Sequence, residues 1–237
     1  VDALRKLFAV KRTRFIKWDA RPGNAMVNDS QQVSWFDWEH SGTRCRLDDV
    51  AWLLCDEFTP NLSDVEARLV ERHIGGFADT LSRDEAERYL RAYGVFHSVV
   101  RLGLILSLKK NDDWWDFDYC VQRDKVGVTL DCALRVSLRA ARWADFDIAT
   151  RPLVAWFERV AEKLARIAAV GGMLGIILNR LNISVIAFKW YETARYVPSW
   201  MEIVVTLTVL FVEIWIFRWI VRRLPVLRES PSWVKGH

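Results

Sequence analysis

Neither zinc ligands nor a disulfide framework can be read from this chain. Its four cysteines (Cys45, Cys55, Cys120, Cys132) fall nowhere near a C-x-x-C spacing, and the four scattered histidines do not pair with them at metal-ligand distance. Free thiols in a reducing compartment are the expectation. Gly171-Gly172 lacks the following Lys-Ser/Thr that a phosphate-cradling loop requires. No secretory signal is visible at the start, where Val1 stands instead of methionine. A basic stripe is missing as well. The formal net charge is only +4, and Lys and Arg are interspersed with Asp and Glu through residues 1–150, which gives no basis for a nucleic-acid partner.

What the chain does contain is apolar and ordered. Half of its 237 residues are hydrophobic and about a quarter charged, enough for one large domain or a domain with an appendage. The thirteen tryptophans divide into two groups. Trp114, Trp115 and Trp143 read as core, whereas Trp200, Trp215 and Trp219 fall in a C-terminal apolar region where interfacial anchoring would explain them.

The most informative stretch is Phe15-Ile16-Lys17-Trp18-Asp19-Ala20-Arg21-Pro22-Gly23-Asn24, followed by Trp35-Phe36-Asp37-Trp38-Glu39. Ala25-Met26-Val27 is apolar, Asn28-Asp29-Ser30-Gln31 is turn chemistry, and Val33-Ser34-Trp35-Phe36 is apolar and aromatic again. An antiparallel hairpin about Ser30-Gln31 sets position 24 opposite position 37. Asn24 and Asp37 then lie side by side at the open end, with Asp19 on the loop leading in. Two hard oxygen ligands beside a carboxylate are what Mg²⁺-assisted phosphoryl transfer asks for. Downstream, Arg46-Leu47-Asp48-Asp49-Val50-Ala51 opens a helix behind an acidic pair.

These motifs, in this order, resemble those of the aminoglycoside phosphotransferase and choline kinase superfamily, small-molecule kinases of protein-kinase-like fold. The matching residues are Lys17-Trp18-Asp19 through Asn24, Phe36-Asp37-Trp38-Glu39, and Asp49-Val50-Ala51, within a region of about residues 10–110. The resemblance implies that Asp19 is a catalytic base for a substrate hydroxyl. It implies that Asn24 and Asp37 hold Mg²⁺ against the phosphates of ATP, and that Asp49 braces the catalytic loop through its backbone. Lys17 replaces the family's usual histidine and is placed to reach a phosphate or a carboxylate. Arg21 would bring positive charge to the transferring group. No Gly-rich loop with a following strand lysine precedes the motifs, so the expectation is a C-lobe without its N-lobe. The implied acceptor is a hydroxyl of a small molecule, sugar or lipid head group. The alternative is a catalytically degenerate relative kept as a membrane scaffold.

The rest of the chain reads as helices. Leu62-Ser63-Asp64 opens one carrying Val65, Leu69 and Ile74; Ser82 and Glu85 form a capping box for another that carries Tyr89, Tyr93, Phe96, Val99 and Val100 inward. A further helix over residues 126–144 is expected to expose Arg135, Arg139 and Arg142. The acidic residues Glu39, Asp56, Glu57, Asp112, Asp113, Asp116 and Asp118 are candidates for a cationic acceptor. Composition shifts after Arg151-Pro152, which divides the chain into a kinase-like part over 1–150 and hydrophobic helices over 151–237. The run over 201–221 spans about 30 Å as a helix. With the run over 167–188 it predicts a transmembrane hairpin, a membrane-associated protein and a cytoplasmic catalytic part. The other reading of these runs is buried helices of an extension or a homo-oligomer interface. The expected fold is thus α+β and mostly helical: a protein-kinase-like C-lobe with a catalytic β hairpin and a C-terminal transmembrane hairpin.

Overall fold

The computed structural model describes residues 2–9, 12–109, 113–187 and 200–223. They divide into two compact units, residues 1–164 and 165–237.

The first unit opens with a short helix α1 (Asp2–Leu7) and a strand β1 (Arg14–Ile16). After the loop 17–24 comes a ribbon of β2 (Ala25–Val27) and β3 (Val33–Trp35), then β4 (Gly42–Arg44). β4 returns to pair antiparallel with β1, with Phe15 opposite Thr43. The two ribbons are separate two-stranded sheets. β1–β4 was not legible in advance, because three-residue strands carry almost no alternation.

The β2–β3 hairpin forms, but one residue out of the expected register. Ala25 pairs with Trp35 and Val27 with Val33, so position 24 lies opposite 36, not 37. The cause is the turn. Asn28 N–H donates to the Gln32 carbonyl at 3.0 Å, Gln31 N–H donates to the Asn28 carbonyl at 2.9 Å, and Gln31 takes a left-handed φ of 59°. That is a three-residue loop closing with a left-handed residue, in place of a loop centred between Ser30 and Gln31. A slip of one residue turns every following side chain to the other face.

Helices make the body of the unit: α2 (Arg46–Cys55), α3 (Ser63–Phe77), α4 (Arg83–Leu108), α5 (Phe117–Gln122), α6 (Leu130–Ala144) and the start of α7 (Val154–Ala187). The expected capping box starts α4: Ser82 accepts from Glu85 N–H, and Glu85 accepts from Ser82 N–H. α4 is the axis against which α2, α3 and α6 pack. Leu47, Leu90, Leu102, Ile105, Val136, Trp143 and Phe157 are almost wholly buried between these helices. Phe157, Ala161 and Leu164 of α7 join this core, so the first part of the C-terminal third belongs to the first unit.

Several expected faces are corrected. On α3, Val70, Ile74 and Glu66 are buried, while Val65 and Leu69 point outward. On α4, Phe96, Val99 and Val100 are exposed, and His97, Ser98 and Arg101 lie inside. Arg139 of α6, expected in water, is 1% exposed and donates to the carbonyl oxygens of Asp56, Thr59 and Pro60. Glu66 explains the inversion. Its carboxylate faces Arg91 at 3.2 Å, Arg142 at 2.7 Å and Arg139 at 3.5 Å, and accepts from Trp143 Nε1. Paired and hydrogen-bonded in this way, Arg139 can lie inside, while Arg91 and Arg142 remain part-exposed.

The second unit contains the remainder of α7 and α8 (Trp200–Arg223). Among the described residues no helix is long and apolar enough to cross a membrane. The transmembrane hairpin is therefore corrected, and so is the membrane-associated, cytoplasm-facing location drawn from it. Asn179-Arg180 falls inside α7, and Glu213 and Arg218 inside α8. A charge at mid-bilayer depth opposes insertion by about 3 kcal/mol. The connection proposed over 189–199 lies outside the described residues. The expected kinase-like C-lobe is also corrected: what is observed is a mostly helical unit with two small antiparallel ribbons.

The tightest joint in the core is Gly94, where an added Cβ would overlap the Trp143 ring and come within 2.8 Å of Cys55 Sγ. Gly94→Ala is expected to destabilise the first unit by about 2–3 kcal/mol, read as a lower urea midpoint with unchanged slope.

Candidate functional site

The loop between β1 and β2 is held from below by α2. Asp49, in the first turn of that helix, accepts from Lys17 N–H at 3.0 Å and from Trp18 N–H at 2.7 Å, one bond to each carboxylate oxygen. Burial raises the Asp49 carboxyl above the ordinary range, although these two donors and Lys17 act the other way. Trp18 has a left-handed φ of 53°, a strained state for a bulky residue. Asp49 offsets that strain by fixing both successive amides. Trp18 is further pinned by Arg44, whose guanidinium lies 3.7 Å from the ring centroid, and by a 3.3 Å hydrogen bond from Nε1 to the Tyr93 hydroxyl.

Asp19 and Asn24 come together. Asn24, 1% exposed at the end of a single 3₁₀ turn begun by Pro22, donates Nδ2 to Asp19 Oδ2 at 2.7 Å and to the Asp19 carbonyl at 3.1 Å. Both bonds use Nδ2, so Oδ1 is the acceptor end of the side chain. Arg21 lies 3.8 Å from Asp19 Oδ2, and its main partner is Asp124, at 2.6 Å. Lys17 is 3% exposed, and its ammonium donates to the backbone carbonyl of Asp37. It therefore reaches neither a carboxylate nor open solvent, and ties the loop to the chain after β3.

Asp37 is brought near by backbone. Phe36 N–H donates to the Asn24 carbonyl at 3.1 Å, and Asp37 itself turns the chain with φ 59°. Its side chain is exposed, and no hydrogen bond joins its carboxylate to Asp19 or Asn24 among the described residues. Nor, among those residues, do three or more His, Cys, Asp or Glu side chains cluster as a metal cage. The two side chains expected to share a cation thus differ in setting: Asn24 is buried, whereas the Asp37 carboxylate is exposed and not directly across the ribbon from it.

Beneath the loop lies a charged layer that the sequence reading did not assemble. Glu57, fully buried, takes two hydrogen bonds from Arg101, that from Nε at 2.9 Å, and a third from Gly127 N–H at 3.1 Å. Burial pushes the Glu57 carboxyl up, but Arg101 outweighs it and holds the group below its ordinary value. Asp56 beside it is raised by burial and by the Glu57 charge. Neither side chain is open to a cationic acceptor. The available signal was Arg101 itself, a lone cation within Val99-Val100-Arg101-Leu102-Gly103-Leu104.

His97, one turn earlier on α4, packs its ring 4.3 Å from that of Trp52, and its Nε2 has no hydrogen-bond partner among the described residues. Burial, with Arg101 adding to it, lowers its pKa from 6.5 to about 4.

No family model matches the chain, and no solved structure matches it. Over 74 residues, 30% of this chain, it is 42% identical to a protein of Nitratidesulfovibrio vulgaris (strain Hildenborough); the matched part is 19% of that protein's length.

Two measurements test this description. Asp49→Asn replaces one acceptor oxygen with a donor facing an N–H, so it should destabilise the fold by about 1–3 kcal/mol and speed hydrogen exchange at the Lys17 and Trp18 amides. For His97, the neutral form is favoured in the fold. The unfolded chain therefore binds the extra proton between pH 6.5 and about 4, and stability falls as pH drops through that window. Asp48, raised by burial to about 6, works oppositely between pH 3.8 and 6. His97→Gln should thus remove about 3 kcal/mol of acid-induced loss, visible as the difference between variant and parent in urea titrations across that window.

Proposed function

We propose that the loop 17–24, with Asp37, is the catalytic loop of an ATP- and Mg²⁺-dependent phosphotransferase acting on a hydroxyl of a small molecule, sugar or lipid head group. The observation that carries the reading is the Asn24 clamp on Asp19. One amide holds the carboxylate through Nδ2 and keeps Oδ1 as its acceptor end. The resemblance of the motifs to those of the aminoglycoside phosphotransferases and choline kinases supports the same assignment, as does the Asp49 brace.

In this reading Asp19 accepts the hydroxyl proton as the acceptor oxygen bonds to the γ-phosphorus of ATP, and the bond from that phosphorus to the bridging oxygen breaks to release ADP. Being fixed by Asn24, Asp19 needs little reorganisation to do so. Asn24 and Asp37 would hold the Mg²⁺, which would supply charge neutralisation at the phosphates. Lys17 is a positioning residue: its ammonium sets the Asp37 carbonyl and so the direction of that carboxylate. Arg21 contributes a cation near Asp19 while anchored by Asp124.

The test uses the full-length polypeptide that carries this chain. Asp19→Asn should lower phosphoryl transfer by about 10²–10⁴-fold with ATP binding retained, and Asp37→Ala should abolish the Mg²⁺ dependence of that binding. Absence of Mg²⁺-dependent ATP binding by calorimetry would instead favour a non-catalytic relative in which the loop is only a structural brace.

A further inference from the structure

The Arg21 guanidinium stands between two carboxylates that hold it unequally. Its Nη2 donates to Asp124 Oδ1 at 2.6 Å, whereas its Nε lies 3.8 Å from Asp19 Oδ2, beyond hydrogen-bond reach. That Asp19 oxygen is bonded instead by Asn24 Nδ2 at 2.7 Å. Asp124 comes from the turn after α5, 103 residues along the chain. The turn is tied down by backbone. The amides of Arg123, Asp124 and Lys125 donate to the carbonyls of Tyr119, Val121 and Cys120 at 3.1, 3.3 and 2.8 Å. Asp124 itself takes a left-handed φ of 48°, which aspartate tolerates better than most side chains. The pair also lies against the loop: a Cβ at Gly23 would touch Asp124 Oδ1 at 3.4 Å and Arg21 Cζ at 3.8 Å.

We infer that Asp124 is a positioning residue that holds Arg21 back from Asp19, leaving the Asp19 carboxylate able to take the acceptor's hydroxyl proton. The inference rests on the phosphotransfer reading. Stability does not account for the pair, because the Asp124 side chain is 62% exposed and water screens such bridges. Its consequence is one of competition. Arg21 and Asp19 are each 14% exposed in their side chains, so their attraction is only partly screened. Asp56, another carboxylate within the field of Arg21, is buried and already accepts from Phe58 N–H at 2.9 Å. A guanidinium released by Asp124 therefore closes on Asp19, and a shift of about 1 Å completes a charge-assisted hydrogen bond. Its planar fork can cover both carboxylate oxygens. A carboxylate bound in that way accepts a proton less readily. Held at its present distance, the same cation stays near the transferring group without occupying the base.

The test uses the full-length polypeptide. Asp124→Gly removes the competing carboxylate and suits a left-handed turn. It should lower kcat by about tenfold while KM for ATP moves by less than about twofold. Asp124→Asn, which keeps a neutral acceptor for Arg21, should fall between that variant and the parent. Adding Arg21→Gln to Asp124→Gly should bring kcat back up to the level of Arg21→Gln alone, because no guanidinium then remains to close on the base. A signal independent of turnover is the Arg21 Nε–H resonance in arginine-labelled protein, assigned by its loss in Arg21→Gln. In Asp124→Gly it should move downfield and exchange more slowly, and Asp19→Asn should remove that change. An inactive parent overturns the phosphotransfer reading, and the positioning role with it. With an active parent, the inference alone is overturned by an unchanged kcat, an unchanged Nε–H signal in Asp124→Gly, or additive effects of the two substitutions.

Discussion

The candidate site depends on one carboxylate. Asp49 accepts hydrogen bonds from two consecutive backbone amides, and the residue carrying the second, Trp18, sits in the left-handed region where an indole side chain is disfavoured. Without that grip Trp18 would relax toward an ordinary conformation, and Asp19, the next residue, would swing with it. Asn24 could then no longer reach Asp19 with one amide nitrogen. The order of dependence runs from the first turn of α2 to the loop, and from the loop to the Asp19–Asn24 pair.

The remainder of the first unit serves to place α2. α4 packs along it, Tyr89 anchors the neighbouring Asp48, and the Glu57–Arg101 pair closes the layer below the loop. These buried and part-buried charges meet opposite charges locally. Arg101 meets Glu57, and Arg91, Arg139 and Arg142 converge on Glu66. Such pairs contribute little net stability, yet removing one partner strands the other in low dielectric, so they act chiefly to specify which helix faces meet. Among the described residues, four buried side-chain nitrogens have no hydrogen-bond partner: Trp52 Nε1, His97 Nε2, Arg91 Nε and Arg139 Nε. Of these only the His97 ring titrates as pH falls, and its burial opposes protonation.

How much of this was legible can be judged residue by residue. The β2–β3 ribbon and the proximity of Asp19 to Asn24 were readable, because both rest on chain neighbours and on turn chemistry. The register was missed by one because the left-handed state of Gln31 is not required by its residue type. Asp37 consequently follows the ribbon through its backbone, and its carboxylate does not lie directly across from Asn24. The faces of α3 and α4 were misjudged for a different reason. Both helices carry apolar residues on more than one side, and only the neighbours decide which side is covered. Arg139 shows the same limit, since its burial depends on Glu66 and on carbonyls from 79 to 83 residues away. The C-terminal runs look continuous when apolar residues are counted. Arg180, Glu213 and Arg218 nonetheless lie within the helices themselves, and no described helix meets the length and apolarity that a bilayer demands.

The chain order alone determined what is short-ranged: the capping box at Ser82 and Glu85, the turn at 28–32, the Asp19–Asn24 spacing, and the helical character of most of the first 164 residues. Hydrogen bonds across three to five residues need no partner from elsewhere. Tertiary structure decided the rest. The bonds from Lys17 and Trp18 to Asp49 span 32 and 31 residues, and the bond from Arg142 to Glu66 spans 76. Contacts at that separation form only once the helices are packed, because burial is what makes an unpaired charge or amide too costly to leave alone.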